Sequence, residues 1–240
     1  MNSSLENKKV SIVLCTLNEV NHIEKTIELI SNTFKSIEII IIDDNSTDGT
    51  LEKLDKIKDK YNFKLFIRKD EKGLASAQQK GFKFASGDYI GTLDVNNQDQ
   101  IAYFKNLKKK LDEGYDVAFL SRYIKGGGDE RIFIRSIASK SINLLSKMIL
   151  RIPYNDFTSG IFLMKKNLLH LTNEILTGYA EWFIDFIYIA NKKNYKIIEI
   201  PYLQKKDDLS IKSKSFPNLF TFLFLGFQYL IRVFKTKLRH

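Results

Sequence analysis

Ile39-Ile40-Ile41-Ile42-Asp43-Asp44-Asn45-Ser46-Thr47-Asp48-Gly49-Thr50 is the stretch on which the fold turns. An aliphatic run too short for a buried helix ends abruptly in two carboxylates. Polar turn residues follow, and then a helical pattern. Such a run is a buried parallel strand, and its carboxyl end delivers acids to the sheet edge where open α/β sheets bind ligands. Capping of the next helix explains part of the cluster. It does not call for two adjacent acids after a dry strand.

Outward from this strand, apolar runs alternate with helical patterns. Strands are expected at Val10–Thr16, Ile37–Ile42, Phe63–Ile67, Tyr89–Leu93 and Val117–Leu120. Helices are expected at Val20–Phe34, Thr47–Lys60, Leu74–Ala85 and Gln100–Leu111. This βαβα rhythm specifies an α/β domain, a mostly parallel sheet with helices on both faces. After Ser121 the rhythm changes. Gly126-Gly127-Gly128 reads as a flexible loop and not a phosphate-cradling P-loop, because no Gly-Lys-Ser/Thr follows. A long helix at Ile132–Leu150, a strand at Ile161–Met164, a helix at Trp182–Asn191 and a last strand at Tyr195–Ile200 complete the domain.

Composition narrows the class. The chain of 240 residues, 44% hydrophobic, fits one large domain with a C-terminal appendage, divided at about residues 1–214 and 215–240. One cysteine, Cys15, excludes a disulfide framework, and His22, His170 and His240 have no zinc-ligand spacing. The first nine residues carry no apolar segment of signal-peptide type, so a cytoplasmic protein is expected, peripheral on the cytosolic face of a membrane. Residues 203–240 hold eight Lys/Arg against two Asp, more than half of the net charge of +10, which favours an anionic partner. No nucleic-acid-reading motif accompanies that charge. Residues 216–234 are rich in phenylalanine but interrupted by Pro217, Asn218, Thr221 and Gln228. Their uncharged core is shorter than the roughly 20 residues of a membrane span. An amphipathic interfacial helix is expected, with a core-covering helix or a dimer contact as the alternatives.

Parallel strands present their carboxyl ends on one side. Thr16-Leu17-Asn18-Glu19, Asp43-Asp44, Asp94 through Asp99 and Ser121-Arg122-Tyr123 therefore converge. Acids and amides able to hold a divalent metal face an arginine able to bind phosphate, a combination suited to a nucleotide diphosphate. No Gly-x-Gly-x-x-Gly follows the first strand, which argues against a dinucleotide dehydrogenase.

In order and spacing the same residues resemble the family 2 glycosyltransferases of GT-A fold, in the dolichyl-phosphate mannose synthase branch. Thr16-Leu17-Asn18-Glu19 is similar to the branch's Thr-Tyr-Asn-Glu, and Asp43 through Thr50 to its Asp-Asp-Gly-Ser-x-Asp-Gly-Thr, with Asn45 for Gly. Lys72 through Ala77, Asp94 through Asp99, Arg122-Tyr123, Arg135 to Ser139 and Asp156-Phe157-Thr158-Ser159-Gly160 also align with its motifs. The resemblance implies an inverting transfer of sugar from a nucleotide diphosphate, GDP- or UDP-linked, to a polyprenyl phosphate. Thr16, Asn18, Glu19, Asp43, Asp44, Gly73 and Asp94 would meet the nucleotide sugar. Asp94, Asn96 and Gln98 would hold Mg²⁺ or Mn²⁺, and Arg122, Arg135, Ser139, Lys212 and Lys214 would bind the acceptor phosphate.

The departures are specific. Asn96 replaces the branch's second metal-binding Asp, Phe162 stands where its Gly-Phe-Arg has arginine, and Lys212-Ser213-Lys214 keeps only part of its late basic motif. Asp94 and Arg122 are the central catalytic candidates. A lipid phosphate is already ionised, its second pKa being about 6, so it needs no general base. A hydroxyl acceptor on a glycan does, and Asp156 and Asp185 are the candidates, each with a structural role as the alternative. A non-catalytic nucleotide- or lipid-phosphate-binding protein is a further reading that Asn96 and Phe162 allow.

Overall fold

The dry aliphatic runs form the middle of a seven-stranded sheet. The computed structural model describes residues 8–34, 36–173, 175, 177–206 and 219–239. The strands are β1 (Val10–Thr16), β2 (Ile37–Asp43), β3 (Phe63–Ile67), β4 (Tyr89–Thr92), β5 (Val117–Ser121), β7 (Phe162–Lys165) and β8 (Ile197–Pro201), in the order β3-β2-β1-β4-β7-β5-β8. All run parallel except β7, which lies antiparallel between β4 and β5. β1 pairs with β2 on one side and β4 on the other, so chain direction across the sheet reverses at β1. Ligands bind at such a switch point, outside the carboxyl ends of the strands.

The helices are α1 (Ile23–Thr33), α2 (Thr50–Ile57), α3 (Leu74–Phe84), α4 (Phe104–Asp112), α5 (Phe133–Leu150), α6 (Trp182–Lys192) and α7 (Leu219–Arg239). Two apolar clusters cover the two sheet faces. One centres on α3 and α6 and the other on α1, α2 and α4. β7 fits only because Gly91 faces it: a Cβ there would meet the Phe162 carbonyl oxygen at 2.1 Å.

Several boundaries differ from expectation for local reasons. Asn45 and Gly49 both adopt positive φ, so α2 starts at Thr50 rather than Thr47, and Asp48 accepts the Thr50 N–H. Asn45 stands where the family has glycine. Asparagine is the non-glycine residue that best tolerates this region. Gln98–Tyr103 forms a 3₁₀ turn before α4. The glycine loop is not free: Gly128–Asp129 (β6) pairs in parallel with Leu203–Gln204 (β9). The expected division after residue 214 lies outside the described residues, as do Lys212 and Lys214. The tail helix, α7, packs on α5 and α6.

At the opposite end of the strands, Glu38 is only 6% exposed yet charged. It accepts hydrogen bonds from Ser11 Oγ (2.5 Å), Ser86 N (2.7 Å), Ser86 Oγ (2.9 Å) and Lys64 Nζ (2.8 Å). Burial opposes its charge, but these donors outweigh it and hold the pKa at about 2, below the usual 4.5. A depressed folded-state pKa stabilises above the ordinary value and is lost as pH falls toward the folded one. About 2 kcal/mol should therefore disappear between pH 5 and pH 2. Glu38→Gln should lose a similar amount at pH 7 and show a flatter acid limb in urea unfolding.

Candidate active site

Along the carboxyl edge, the end of β1 is locked to the end of β2 before any ligand is considered. Asp43 is fully buried and accepts from Thr16 Oγ1 (2.6 Å), Ser46 N (2.7 Å) and Ser46 Oγ (2.7 Å). Asn18, at positive φ, donates its N–H to Ser46 Oγ (2.8 Å) and accepts from Thr47 N (2.9 Å). Asp43 and Asn18 do not line the cavity. The expectation of nucleotide contact is corrected for both: their polar atoms bind the two strand ends together.

The cavity itself has a volume of about 1090 Å³. Thr16, Glu19, Asp44, Gly73, Asp94, Asn96, Gln98, Arg122, Arg135 and Ser139 all border it. Asp44 is oriented by a residue that the motifs do not mark. Arg68, whose side chain is fully buried just after β3, donates to Asp44 Oδ1 through Nε (2.6 Å), and its Nη2 lies 2.5 Å from the same oxygen. Its other donors reach Ser76 Oγ (2.8 Å) and the Gly73 carbonyl (2.9 Å). Gly73, at φ +125°, donates its N–H to Asp44 Oδ2 (2.8 Å). Cys15 also borders this region. Burial and the neighbouring Asp44 push its thiol pKa up, leaving it protonated.

Asp94 and Asn96 follow β4 and are exposed to the cavity, while Gln98 donates its amide N–H to the His22 carbonyl (3.2 Å). Among the described residues no three His, Cys, Asp or Glu side chains gather as a metal-ligand set. A hard divalent cation in a nucleotide site uses one or two carboxylates and takes its other oxygens from phosphate and water. Asp94 with the Asn96 amide fits that mode.

Across the cavity, Arg122 is 5% exposed and its guanidinium is largely committed. Nε and Nη2 each donate to Asp156 at 2.7 Å, Nη2 also reaches Thr158 Oγ1 (2.7 Å), and Nη1 faces Asp129 in a longer ion pair (3.9 Å). Burial opposes the charge, but Asp156 outweighs it and holds the Arg122 pKa well above its usual value. Asp156 is fully buried and borders no part of the cavity. Asp185 is likewise withdrawn: on α6 it accepts from Arg232 and Thr236 of α7. Neither acid reaches the cavity, so the expectation of a general base is corrected for both. Phe162, at the position of the family's arginine, is fully buried among Phe82, Trp182, Phe183 and Phe186.

The motifs did not mark Arg131, Tyr179, Tyr202, Lys205 and Lys206, which also line the cavity. Arg131 forks onto Asp129 (2.8 and 2.6 Å), and Lys205 pairs with Asp99 (2.9 Å). Tyr179 has its phenol pKa pushed up to about 12 by burial and by the charges of Asp94 and Glu19.

Known proteins are similar to this chain. Residues 11–172 match the profile described as Glycosyl transferase family 2, more than half of the chain. The chain belongs to glycosyl transferase family 2. It is 31% identical over 215 residues to a dolichol-phosphate mannosyltransferase of Pyrococcus furiosus, covering 86% of this chain and 60% of that protein. Over 144 residues it is 31% identical to the enzyme of the same name from Saccharomyces cerevisiae, covering 58% of this chain and 52% of that one. This family 2 chain thus spans a little over half the length of these relatives. Among solved structures it is similar to glucosyl-3-phosphoglycerate synthase from Mycobacterium tuberculosis, in complex with Mn²⁺, UDP and phosphoglyceric acid. The TM-score is 0.73 at 17% identity, covering 97% of this chain and 81% of that one, which establishes the GT-A fold.

The buried Arg122–Asp156 pair allows a direct check of this geometry. Asp156→Ala leaves a guanidinium buried without a counter-charge and should lower stability by about 3–5 kcal/mol in urea unfolding. Asp156→Asn, which keeps hydrogen-bond acceptance, should cost less.

Proposed function

We propose that this protein transfers a sugar from a nucleotide diphosphate to a polyprenyl phosphate at a membrane surface. The observation that carries the reading is the withdrawal of Asp156 and Asp185 from the cavity into ion pairs. The two acids best placed in sequence to activate a hydroxyl acceptor cannot reach one. An acceptor phosphate is already ionised and needs no base. The names of the mannosyltransferase relatives support the same choice.

Glu19, Asp44 and Gly73 would hold the nucleoside end of the donor, with Arg68 fixing Asp44. Asp94 and Asn96 would hold Mg²⁺ or Mn²⁺ against the diphosphate, as the metal-bound solved relatives suggest. When bound, such an ion stabilises the negative charge that develops on the leaving group. Arg122 Nη1, Arg131 and Arg135 would draw the acceptor phosphate toward the anomeric carbon, and Ser139 would hydrogen-bond it. Attack from the face opposite the leaving diphosphate inverts the anomeric centre. The fixed guanidinium dipoles and charges need no reorganisation at the moment of transfer.

The two helices that wall the acceptor side support a lipid acceptor. α5 and α7 line the cavity through Ile142, Leu145, Leu225 and Leu230. Their outer faces leave Phe133 (81%), Met148 (63%), Phe224 (53%) and Phe234 (54%) exposed. Lys140, Lys235 and Arg239 on the same helices are exposed too. An apolar face with basic residues suits an interface rich in anionic lipid. Among the described residues no helix is long and apolar enough to cross a membrane.

Incubation with radiolabelled GDP- and UDP-sugars and short polyprenyl phosphates should yield label in the organic phase. Asp94→Asn should reduce that rate on the order of a hundredfold with an unchanged unfolding midpoint. Label only in water-soluble glycan would overturn the acceptor assignment. Flotation with vesicles containing anionic lipid should carry the protein upward. Phe133→Asp with Phe234→Asp should abolish flotation, each exposed phenylalanine contributing about 2 kcal/mol of interfacial burial.

A further inference from the structure

Arg232 makes more contacts than a fastening for α7 requires. It is 9% exposed. Its Nε donates to Asp185 on α6, and the Thr236 hydroxyl, one turn further along α7, donates to the other carboxylate oxygen. That pair already secures α7 to α6. The remaining donors of the fork go elsewhere: Nη1 to Thr177 Oγ1 (2.8 Å) and Nη2 to the Ile175 carbonyl (2.6 Å). Ile175 and Thr177 precede Tyr179, which borders the cavity. Tyr229 and Leu230, just before Arg232 on α7, border it as well.

We propose that Arg232 is a positioning residue: its guanidinium holds the Tyr179 segment and the Tyr229–Leu230 turn of α7 in fixed relation, and so shapes the acceptor end of the cavity. The inference rests on the functional reading above. A buried ion pair gives little net stability, because desolvating both charges offsets their attraction. A planar fork that reaches three partners from one centre does give geometry. The two walls it joins differ in surroundings. Tyr179 lies within the electrostatic reach of Arg135 on the acceptor side as well as of Asp94 and Glu19. α7 turns exposed phenylalanines outward. Arg232 therefore sits where the lipid-facing helix meets the wall of the reaction chamber, and the acceptor is the substrate that passes between them.

Two variants separate positioning from folding. Arg232→Lys keeps a cation opposite Asp185 but cannot reproduce the fork, and Thr177→Val removes one bond to the segment and leaves the ion pair. Both should unfold cooperatively in urea. Both should bind GDP- or UDP-sugars as the wild type does, while KM for a short polyprenyl phosphate rises on the order of tenfold and kcat changes less. Trp182, the single tryptophan, lines the cavity three residues after Tyr179 and gives a readout that needs no turnover. Its emission should change on titration with polyprenyl phosphate, with the midpoint displaced on the order of tenfold in both variants and the nucleotide-sugar midpoint unmoved. Acceptor KM and midpoint equal to wild type in both variants would overturn the proposal. So would equal losses of donor and acceptor binding together with lower stability, the mark of a merely structural residue. Wild-type protein that neither binds nor glycosylates polyprenyl phosphate would overturn the functional reading and this proposal together. A competent wild type matched by both variants would overturn the proposal alone.

Discussion

Arg122 is tolerated in the interior because Asp156 meets it with two parallel hydrogen bonds. The rest of the edge depends on this pair. A guanidinium at the end of β5 must lose its water, and an unpaired charge there would be strongly destabilising. Asp156 is itself held by Glu199, which accepts its N–H and that of Asn155. Asn143 of α5 bonds Thr158 and accepts the Phe157 N–H. One ion pair thus fixes β5, β8, α5 and the loop before β7 around a single point, and that point forms one wall of the cavity.

The same device recurs at the other walls. Arg68 immobilises Asp44 beside Gly73, and Arg232 immobilises Asp185 beneath α7. In each case a carboxylate near the cavity has its geometry set by arginine. Asp94, by contrast, lies exposed on the cavity lining after β4.

The sheet was legible because its strands are buried on both faces, so they appear as unbroken Val/Ile/Leu runs such as Ile39–Ile42. The residues after those runs were legible as a site for the same reason, since parallel strands share one exit. What the sequence does not display is which polar atoms meet each other there. Asp43 and Asp44 are adjacent and alike, yet Asp43 is consumed by Thr16 and Ser46 while Asp44 borders the cavity. Strand alternation separates them, but the decisive partners come from distant positions. Arg68 lies outside any motif, although it follows β3 at the expected edge. Asp185 stood as a candidate base because the resembled family places an acid nearby. Its partner, Arg232, lies 47 positions away. The outer face of α5 carried a signal in its excess of apolar residues over what one buried stripe needs.

β7 has a consequence for assembly order. It joins β4 to β5 by antiparallel pairing on both sides, and no direct pairing between β4 and β5 exists in the sheet. During synthesis the four strands from β1 to β4 can pair as soon as residue 92 is out. The segment from β5 onward has no edge to join until the chain has run on past Lys165. Until then β4 presents an unpaired margin with Gly91 at its centre, narrow enough for only one backbone to approach. An unpaired margin that waits on a strand about 70 residues further along is open to mispairing.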